Sequence, residues 1–427
     1  MIEPIKYSGQ TAKELFGARD EMAANVEAAV KSILVNVRIR GDRALKEYSA
    51  KFDGFNGEKF EVERREIDEA YGALSAEFTE MLKRAISNIK DFHGEQVREG
   101  FEIDYGDRIV GQKVIPVDCA GIYVPGGTAA YPSTVLMNAI PAKIAGVGTV
   151  IMATPVKADG KVKPEILVAA DLCGVDRIFK MGGAQAIAAM AYGTETVPKV
   201  DVITGPGRDY VATAKKLVSG IICGIDMVAG PSEILVIADE KAKAAQVAAD
   251  LLSQAEHDKM AAAVLITDSE KLAYTVAAEL EKQLATLPRA EIARSSLDNY
   301  GKIIVCENLE KAVELSNQFA PEHLELAVEK PFELMDGVKN AGSVFLGYYT
   351  PEAIGDYYAG ANHTLPTSGT SRFASPLSVD DFVKTTQYIS YSRSALIDAA
   401  QDVVSFARSE GLDGHAESVL KRVNDNE

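Results

Sequence analysis

A series of short β-branched runs, each followed by a helical stretch, most constrains what this 427-residue chain can fold into. The first four runs begin at Gly121 (GIYVPGG), Thr149 (TVIMATP), Arg177 (RIFKMGG) and Val200 (VDVITGPG). Their spacing of roughly 25 residues suits βαβ units, in which a crossover helix returns the chain to start the next parallel strand. This part of the sequence therefore predicts a parallel α/β sheet.

A second series of runs begins at Glu233 (EILVIAD) and continues at Ala261 (AAAVLIT), Lys302 (KIIVC), Leu324 (LELAV) and Gly342 (GSVFLG). It predicts a second α/β domain of the same kind. Two domains also suit the length, because single hydrophobic cores stop growing near roughly 250 to 300 residues.

The segments outside the two series have helical periodicity. In 25–49 and 75–96 apolar residues return every three or four positions, so we expect the first 115 residues to be mainly helical. Beyond Phe373 the strand signal fades, and 380–424 is interpreted as helix. That tail is too small and too polar on one side to fold alone, so we expect it to pack on another domain or another subunit.

Charge and composition exclude several partners. The formal net charge is -17 and the basic residues are scattered, which disfavours nucleic acid and anionic membranes. No apolar run approaches the ~20 residues of a membrane span, and the amino terminus lacks a signal core, so we expect a cytoplasmic protein. Cys119, Cys173, Cys223 and Cys306 never form CxxC, which favours buried, reduced thiols over a zinc ribbon or a redox pair.

The string SQAEHD at 253–258 ends a predicted helix. Gln254 and His257 are three residues apart, so their side chains leave the same helical face and could converge on one metal ion. The alternative is an ordinary solvated helix face.

The string APEHLEL at 320–326 places Glu322 and His323 directly before a predicted strand. Histidine has the pKa best suited to moving protons near neutrality, and pairing of the strand would hold it in place. The alternative is a loop with two solvated polar residues, but Pro321 favours a fixed turn.

A long Gly-, Ser- and Thr-rich segment at 355–378 holds Asp356 and His363. So long an irregular loop in a compact enzyme is uncommon unless it builds a site. Asp356 suits zinc or manganese, and His363 suits a substrate contact. Glu410 and His415 lie in the tail (SEGLDGHAESV), where His415 alone is interpreted as a solvated helix residue.

Three Gly-rich turns, at Pro125 (PGGTAAYP), Gly182 (GGAQAIAA) and Gly205 (GPGRDYVATA), could present backbone N–H groups to a phosphate. None is a full GxGxxG, since Tyr210 stands where the last glycine should be, and turns needed for packing are the alternative. The chain also lacks a P-loop, an HExxH motif and a GxSxG motif, which argues against kinase, zincin and serine hydrolase activities.

Together and in this order, these strings resemble the histidinol dehydrogenase family, from GDRALKEYSAKFDGF at Gly41 to EGLDGHAESV at Glu410. The resemblance implies two Rossmann-like α/β domains with parallel sheets, small helical terminal segments and an intertwined homodimer. We expect the domains to be a helical segment at 1–20, a zinc-binding and catalytic α/β domain at 21–120 with 234–375, an NAD-binding α/β domain at 121–233, and a helical tail at 376–427.

The family reaction oxidises L-histidinol through the aldehyde to L-histidine, with two NAD and one water. By resemblance, one zinc per subunit is held by Gln254, His257, Asp356 and His415, the last from the other subunit. These four ligands would also contact the substrate. Glu322 and His323 match the catalytic pair, and His323 would contact the substrate as well.

Ser232, His363 and Glu410 match further substrate-binding positions, and Tyr123 and Gln185 match dinucleotide contacts. Arg208 stands where the family usually has Asn, so the geometry of that NAD contact would differ. His93 is interpreted as a structural residue of a polar helix, far from every motif.

Three alternatives stay open at this stage: a paralogous zinc/NAD alcohol dehydrogenase for another small polar alcohol, a zinc amidohydrolase with Glu322 activating water, and an idle binding protein. Zinc, manganese and cobalt also overlap in their ligand preferences.

Overall fold

The structure, a computed structural model, describes residues 2–17, 24–126 and 130–424. The chain forms two compact units, Met1–Gln96 with Val117–Phe382, and Val97–Pro116 with Val383–Glu427. The strands are β1 Ile5–Lys6, β2 Phe101–Asp104, β3 Arg108–Pro116, β4 Cys119–Tyr123, β5 Thr149–Thr154, β6 Arg177–Lys180, β7 Val202–Thr204, β8 Gly224–Ile225, β9 Glu233–Ala238, β10 Ala262–Thr267, β11 Lys302–Val305, β12 His323–Ala327, β13 Ser343–Leu346 and β14 Val383–Tyr391.

The helices are α1 Ala12–Phe16, α2 Ala24–Asp53, α3 Arg64–Ala73, α4 Ala76–Gly94, α5 Pro132–Ile144, α6 Pro164–Leu172, α7 Gly183–Tyr192, α8 Asp209–Val218, α9 Ala244–Ala255, α10 Glu270–Leu284, α11 Ala290–Tyr300, α12 Leu309–Phe319, α13 Pro331–Met335, α14 Glu352–Tyr357, α15 Arg393–Ser409 and α16 Asp413–Val423. Short 3-10 turns lie at Thr370–Arg372 and Val379–Phe382.

The first predicted series forms a five-stranded parallel sheet in the order β6-β5-β4-β7-β8. All four predicted runs are confirmed as strands. Chain order reverses between β4 and β7, since β5 and β6 lie on one side of β4 while β7 and β8 lie on the other. In open α/β sheets, ligands bind at the carboxyl ends of the strands flanking such a reversal.

The second predicted series forms a six-stranded parallel sheet in the order β1-β11-β10-β9-β12-β13. Its five predicted strands are confirmed. The additional strand, β1, belongs to a segment predicted to be helical, where α1 is the only described helix. Two residues are too few to show strand periodicity, and 18–20 lie outside the described residues.

The helices predicted at 25–49 and 75–96 are confirmed by α2 and α4, with a kink in α2 at Gly41 (φ 50°, ψ -133°). Their apolar faces pack on the five-stranded sheet, because Val37 and Ile89 share one core with Ile122 and Ile151. This packing differs from the prediction that 21–120 form one domain with the second series of strands. Helical periodicity shows which face is apolar but not which sheet will cover it.

In the second unit, β14, β3 and β2 form an antiparallel sheet, and α15 packs on α16 through Val404, Ala407 and Ala416. The expected helix over 380–424 is therefore wrong at 383–391, where the chain is a strand, and β2 and β3 were likewise not foreseen. β2 and β14 are largely exposed and β3 is mostly half-buried, so the three strands lack the fully buried pattern of the central parallel strands.

None of the described helices is both long enough and apolar enough to cross a membrane.

Candidate active site

The predicted catalytic residues lie at the amino ends of the strands of the six-stranded sheet, which we call the amino edge. His323 is the first residue of β12, and Glu233 is the first residue of the neighbouring β9. Gln254 lies in the last turn of α9, and His257 follows it shortly before β10. Because a crossover helix returns the chain to the start of the next parallel strand, the end of α9 brings both side chains to this same edge.

His323 is buried and its ring is oriented by the backbone of β9. Nδ1 lies 3.0 Å from the carbonyl oxygen of Glu233, and a carbonyl can only accept, so Nδ1 carries the proton. Nε2 is then the basic nitrogen. It is buried without a hydrogen-bond partner among the described residues, 3.7 Å from Asp356 Oδ1. This ring can accept a proton at Nε2 without first rotating.

Opposing effects set the charge of this pair. Burial alone would lower the pKa of His323, but the carboxylates of Glu352, Glu322 and Asp356 outweigh it and raise the pKa well above its ordinary range. Burial alone would likewise raise the pKa of Asp356, but His323, His363 and nearby His257 hold it below its usual value. These carboxylates favour the protonated ring, so His323 can act as a base only once a bound cation offsets their charge.

Glu322 is buried, and its side chain is held by the neighbouring strand β9. Its Oε2 accepts a 2.8 Å hydrogen bond from the backbone N–H of Glu233. Burial, which disfavours the carboxylate, raises the pKa of Glu322 to about 8. A carboxyl group with that pKa can accept or release a proton near neutral pH.

Several potential metal ligands converge beside His323. Gln254 Nε2 lies 3.1 Å from His257 Nδ1, while Gln254 Oε1 is buried without a hydrogen-bond partner among the described residues. His323, Glu352 and Asp356 each place a ligand atom within 4.8 Å of the others. Imidazole, carboxylate and an unsatisfied amide oxygen form a donor set suited to a zinc-like divalent ion, so the residues present fit such a metal.

The irregular segment after α14 carries His363. Its Nδ1 lies 3.0 Å from the carbonyl oxygen of Asp356, which leaves Nε2 as the acceptor. The preceding Asn362 is buried, donates to the carbonyl of Met137 on α5 at 2.7 Å, and accepts from the N–H of Thr364 at 2.9 Å. These bonds fix the segment against the helices of the five-stranded sheet.

His93 lies at that same junction. It is fully buried, with Nδ1 2.6 Å from Gln96 Oε1 and Nε2 3.3 Å from Asn362 Nδ2. The interpretation of His93 as far from every motif is therefore wrong in space, because it contacts the neighbour of His363. The helical spacing did carry a sign of this, because His93 lies four residues after Ile89 and seven after Ile86 on the buried face of α4.

The predicted dinucleotide contacts meet at the carboxyl ends of the five-stranded sheet, which we call the carboxyl edge. Tyr123 ends β4, and its hydroxyl accepts from the N–H of Gly183 at 3.1 Å. Gln185 lies in the first turn of α7, with Nε2 3.5 Å from Asp53 Oδ2. Burial raises the pKa of Asp53 to about 6.

The turn after β7 is built around Gly205, whose φ of 109° lies in the region that favours glycine and where a Cβ would collide with the carbonyl of Tyr123. The buried pair Lys215 and Asp226 clamps it: Lys215 Nζ donates to the Gly205 carbonyl at 2.7 Å, and Asp226 Oδ2 accepts from the Gly205 N–H at 2.8 Å. Arg208 precedes α8 and is exposed. In the turn at Pro125, 127–129 lie outside the described residues.

The remaining predicted residues are divided between the two units. Ser232 directly precedes β9, and its carbonyl accepts from the N–H of Ala262 at 3.0 Å, so it lies at the amino edge. Glu410 and His415 belong to the second unit, after α15 and in α16, and both are exposed there.

Sequence reasoning missed Glu233 and Glu352, which are both buried at the amino edge. A signal existed for each. Glu233 opens a strand that is otherwise wholly apolar, and a buried carboxylate needs a specific partner. Glu352 precedes Asp356 by four residues, so the two share a helical face.

Comparisons with known proteins agree on one family. Residues 18–423 match the family model of histidinol dehydrogenase. The chain is 52% identical over 408 residues to the histidinol dehydrogenase of Geobacter sulfurreducens, covering 95% of each chain, and 48% identical over 431 residues to that of Lactococcus lactis, covering all of each. A crystal structure of histidinol dehydrogenase from Elizabethkingia anophelis, 37% identical, has a TM-score of 0.94 and covers 99% of this chain and 98% of that one.

Proposed function

This chain belongs to the histidinol dehydrogenase family, and from that premise we propose how its two edges divide the NAD-dependent oxidation of L-histidinol to L-histidine. The amino edge carries the acid-base groups, and the carboxyl edge binds NAD. One observation carries the proposal most directly. The Glu233 carbonyl fixes the His323 ring so that its buried Nε2 is the basic nitrogen.

In the first half-reaction, His323 accepts the proton of the substrate hydroxyl while a hydride leaves the same carbon for NAD. The product is the aldehyde. A ring whose Nδ1–H is already bonded presents only Nε2 to the substrate, so proton transfer needs no reorientation.

In the second half-reaction, Glu322 accepts a proton from water as the water oxygen attacks the aldehyde carbon, and His323 returns its proton to the aldehyde oxygen, which leaves the ring neutral. The resulting hydrate loses a second hydride to a second NAD, and His323 again accepts the hydroxyl proton. Two neighbouring bases suit two successive proton transfers, and the elevated pKa of Glu322 gives it useful base strength near neutrality.

We assign a zinc-like ion to Gln254, His257 and Asp356, with His415 supplied by a second copy of the chain. Bound there, the ion would orient the substrate and polarise its hydroxyl. The unsatisfied Gln254 Oε1 beside His257, and the grouping of Asp356 with His323 and Glu352 within 4.8 Å, support this assignment. Ser232, His363 and Glu410 would contact the substrate.

Tyr123 and Gln185 are the proposed NAD contacts, with Arg208 as a further contact at the start of α8. Their support is positional: Tyr123 ends β4, and Arg208 precedes the helix after β7, so the two lie on the strands flanking the reversal of chain order. Helix amino ends at such a crevice favour the NAD pyrophosphate.

The homodimer is part of the proposal. The second unit exposes large apolar side chains, with Ile389 72% exposed, Phe406 68% and Phe101 55%, as expected of a surface that packs on another chain. Mixing inactive His257→Ala and His415→Ala proteins should restore activity in hybrid dimers, where one site keeps both histidines. Failure at every mixing ratio would argue against a shared site. The cytoplasmic location stays a prediction.

The central experiment counts NADH formed per L-histidinol consumed, with and without a chelator. We expect two NADH per substrate, no activity in chelator and recovery on adding zinc. A ratio of two that survives complete metal removal would refute the metal assignment alone. Turnover of another small alcohol but not L-histidinol would indicate a paralogous dehydrogenase, and hydrolysis of an amide without NADH formation would indicate a hydrolase.

A further inference from the structure

Glu233 contacts both proposed catalytic residues, Glu322 through its side chain and backbone N–H and His323 through its backbone carbonyl. It opens β9 directly opposite Glu322, and the two residues bond reciprocally. The Glu233 N–H donates to Glu322 Oε2 at 2.8 Å, and the Glu322 N–H donates to Glu233 Oε2 at 3.2 Å. We call these two bonds the glutamate clasp.

The glutamate clasp provides acceptors for backbone N–H groups that the pairing of the parallel strands leaves unpaired. The N–H groups at the start of two adjacent strands precede the ladder, and a buried N–H without an acceptor is costly. The carboxylate of each glutamate accepts the backbone N–H of the other glutamate. The backbone position of Glu322 therefore depends on the side chain of Glu233.

The other oxygen of Glu233 holds a second element of the site. Oε1 accepts from the N–H of Ser368 at 3.1 Å. Ser368 has a φ of 56°, in the left-handed region that non-glycine residues rarely adopt, so its conformation needs external support. The adjacent Thr367 Oγ1 accepts from the N–H of Gly230 at 2.6 Å. Glu233 thus ties the turn at 367–369, just beyond His363, to the start of β9.

Glu322 and His323 depend on Glu233 unequally. His323 lies within the sheet, paired with Ile234 on one side and Ser343 on the other, and its ring bonds the Glu233 carbonyl, which no side-chain substitution removes. Glu322 lies just outside the strand. Its carbonyl is held by the N–H of Ser343, but its N–H is held by the carboxylate of Glu233.

We propose that Glu233 is a positioning residue for the second half-reaction, holding Glu322 where it can activate the water that attacks the aldehyde. The proposal rests on the proposed function above. It predicts that loss of the Glu233 carboxylate slows the second half-reaction more than the first. His323 still supports formation of the aldehyde, but the aldehyde is converted slowly to the acid, so some of it escapes.

The test is the ratio of NADH formed to L-histidinol consumed, with semicarbazide present to trap free aldehyde. Glu233→Gln keeps the size of the side chain but has one acceptor oxygen for two N–H groups. Loss of ideal placement can cost about 100-fold in rate, so we expect oxidation of added L-histidinaldehyde to slow by about 10- to 100-fold. The first half-reaction should slow less, and the ratio should fall from two towards one.

Two matched variants serve as controls for the ratio of NADH formed to L-histidinol consumed. Glu322→Gln removes the base itself and should lower the ratio in the same direction. Glu325→Gln changes another buried glutamate of β12, one that bonds Asp250 and the N–H of Glu352 rather than Glu322, and should keep a ratio of two. Because the ratio does not depend on how much enzyme is active, partial unfolding or metal loss cannot imitate the expected result.

A Glu233→Gln protein that slows both half-reactions equally and keeps a ratio of two would overturn the proposal, and so would one with wild-type rates. If both Glu233→Gln and Glu233→Ala fail to fold while Glu325→Gln folds, Glu233 is a folding residue and the proposal is abandoned. A wild-type protein that forms no NADH from L-histidinol would refute the proposed function instead.

Discussion

The two parallel sheets present opposite ends to their proposed ligands. In the five-stranded sheet, the proposed NAD contacts lie at the carboxyl edge, where β4 ends at Tyr123 and helices α7 and α8 begin. In the six-stranded sheet, the catalytic candidates lie at the amino edge, where β12 begins at His323 and helices α9 and α12 end. The same construction therefore offers two electrostatically different surfaces.

The difference follows from the direction of the crossover helices. Helix amino termini, with about half a positive charge each, collect at a carboxyl edge and suit the phosphates of a dinucleotide. Helix carboxyl termini, with a similar negative charge, collect at an amino edge and suit a cation. A chain with two such sheets can thus hold an anionic cofactor at one edge and a metal ion at the other.

The largest expected effect tests whether the amino edge carries the proton chemistry. His323→Asn should lower turnover by about 100-fold or more, within the usual 10² to 10⁴ range for one acid-base group. Metal content and the free energy of unfolding should stay near wild type, because the proposed ligands remain. Steady-state rates with metal analysis by mass spectrometry check this. Retention of most activity would break the assignment of the two edges.

The next effect tests the carboxyl edge, where the buried charges support a turn rather than react. Lys215→Met should lower the free energy of unfolding by about 3 to 5 kcal/mol, since it leaves Asp226 buried without its cation. Chemical denaturation measures the loss. The double variant Lys215→Met with Asp226→Asn should recover part of it; a double variant that only adds the two losses would contradict the coupling.

A smaller effect sharpens the division of ligands. Gln185→Ala should raise the KM for NAD by about tenfold, the loss of roughly one hydrogen bond, while the KM for L-histidinol and the metal content stay unchanged. Initial rates with each substrate varied in turn separate the two constants. A rise confined to L-histidinol would place the substrate, not NAD, at the carboxyl edge.

The smallest effect concerns the contact between His93 on α4 and Asn362, where burial lowers the pKa of His93 below its ordinary value of 6.5. Below pH 6.5 the unfolded chain binds a proton that the folded chain excludes. The free energy of unfolding therefore decreases as the pH is lowered from 6.5 to the folded-state pKa. His93 should contribute at most about 1.4 kcal/mol per pH unit to that slope. His93→Asn, with unfolding followed by circular dichroism at several pH values, should flatten the slope, and an unchanged slope would contradict the assignment.

The sequence predicted the two parallel sheets well, because their strands are continuous buried apolar runs. It missed β2, β3 and β14, whose residues are exposed or only half-buried. The site was likewise predicted where the sequence carries local motifs. SQAEHD and PEHLEL identified a set of residues that the structure brings to the amino edge: Gln254, His257, Glu322 and His323. His93 and Glu233 act through contacts with residues 269 and 89 positions away, and the local pattern that marks each as buried does not show which distant residue it contacts.

The glutamate clasp also limits how this chain can change over evolution. Glu233 and Glu322 each accept the other's backbone N–H. Replacing either glutamate therefore leaves the backbone N–H of the other without its acceptor. A route through single substitutions therefore crosses a poorly functioning intermediate, whichever residue changes first. A library that varies one position at a time would score both glutamates as indispensable, and only paired replacement could find another solution at the start of these two strands.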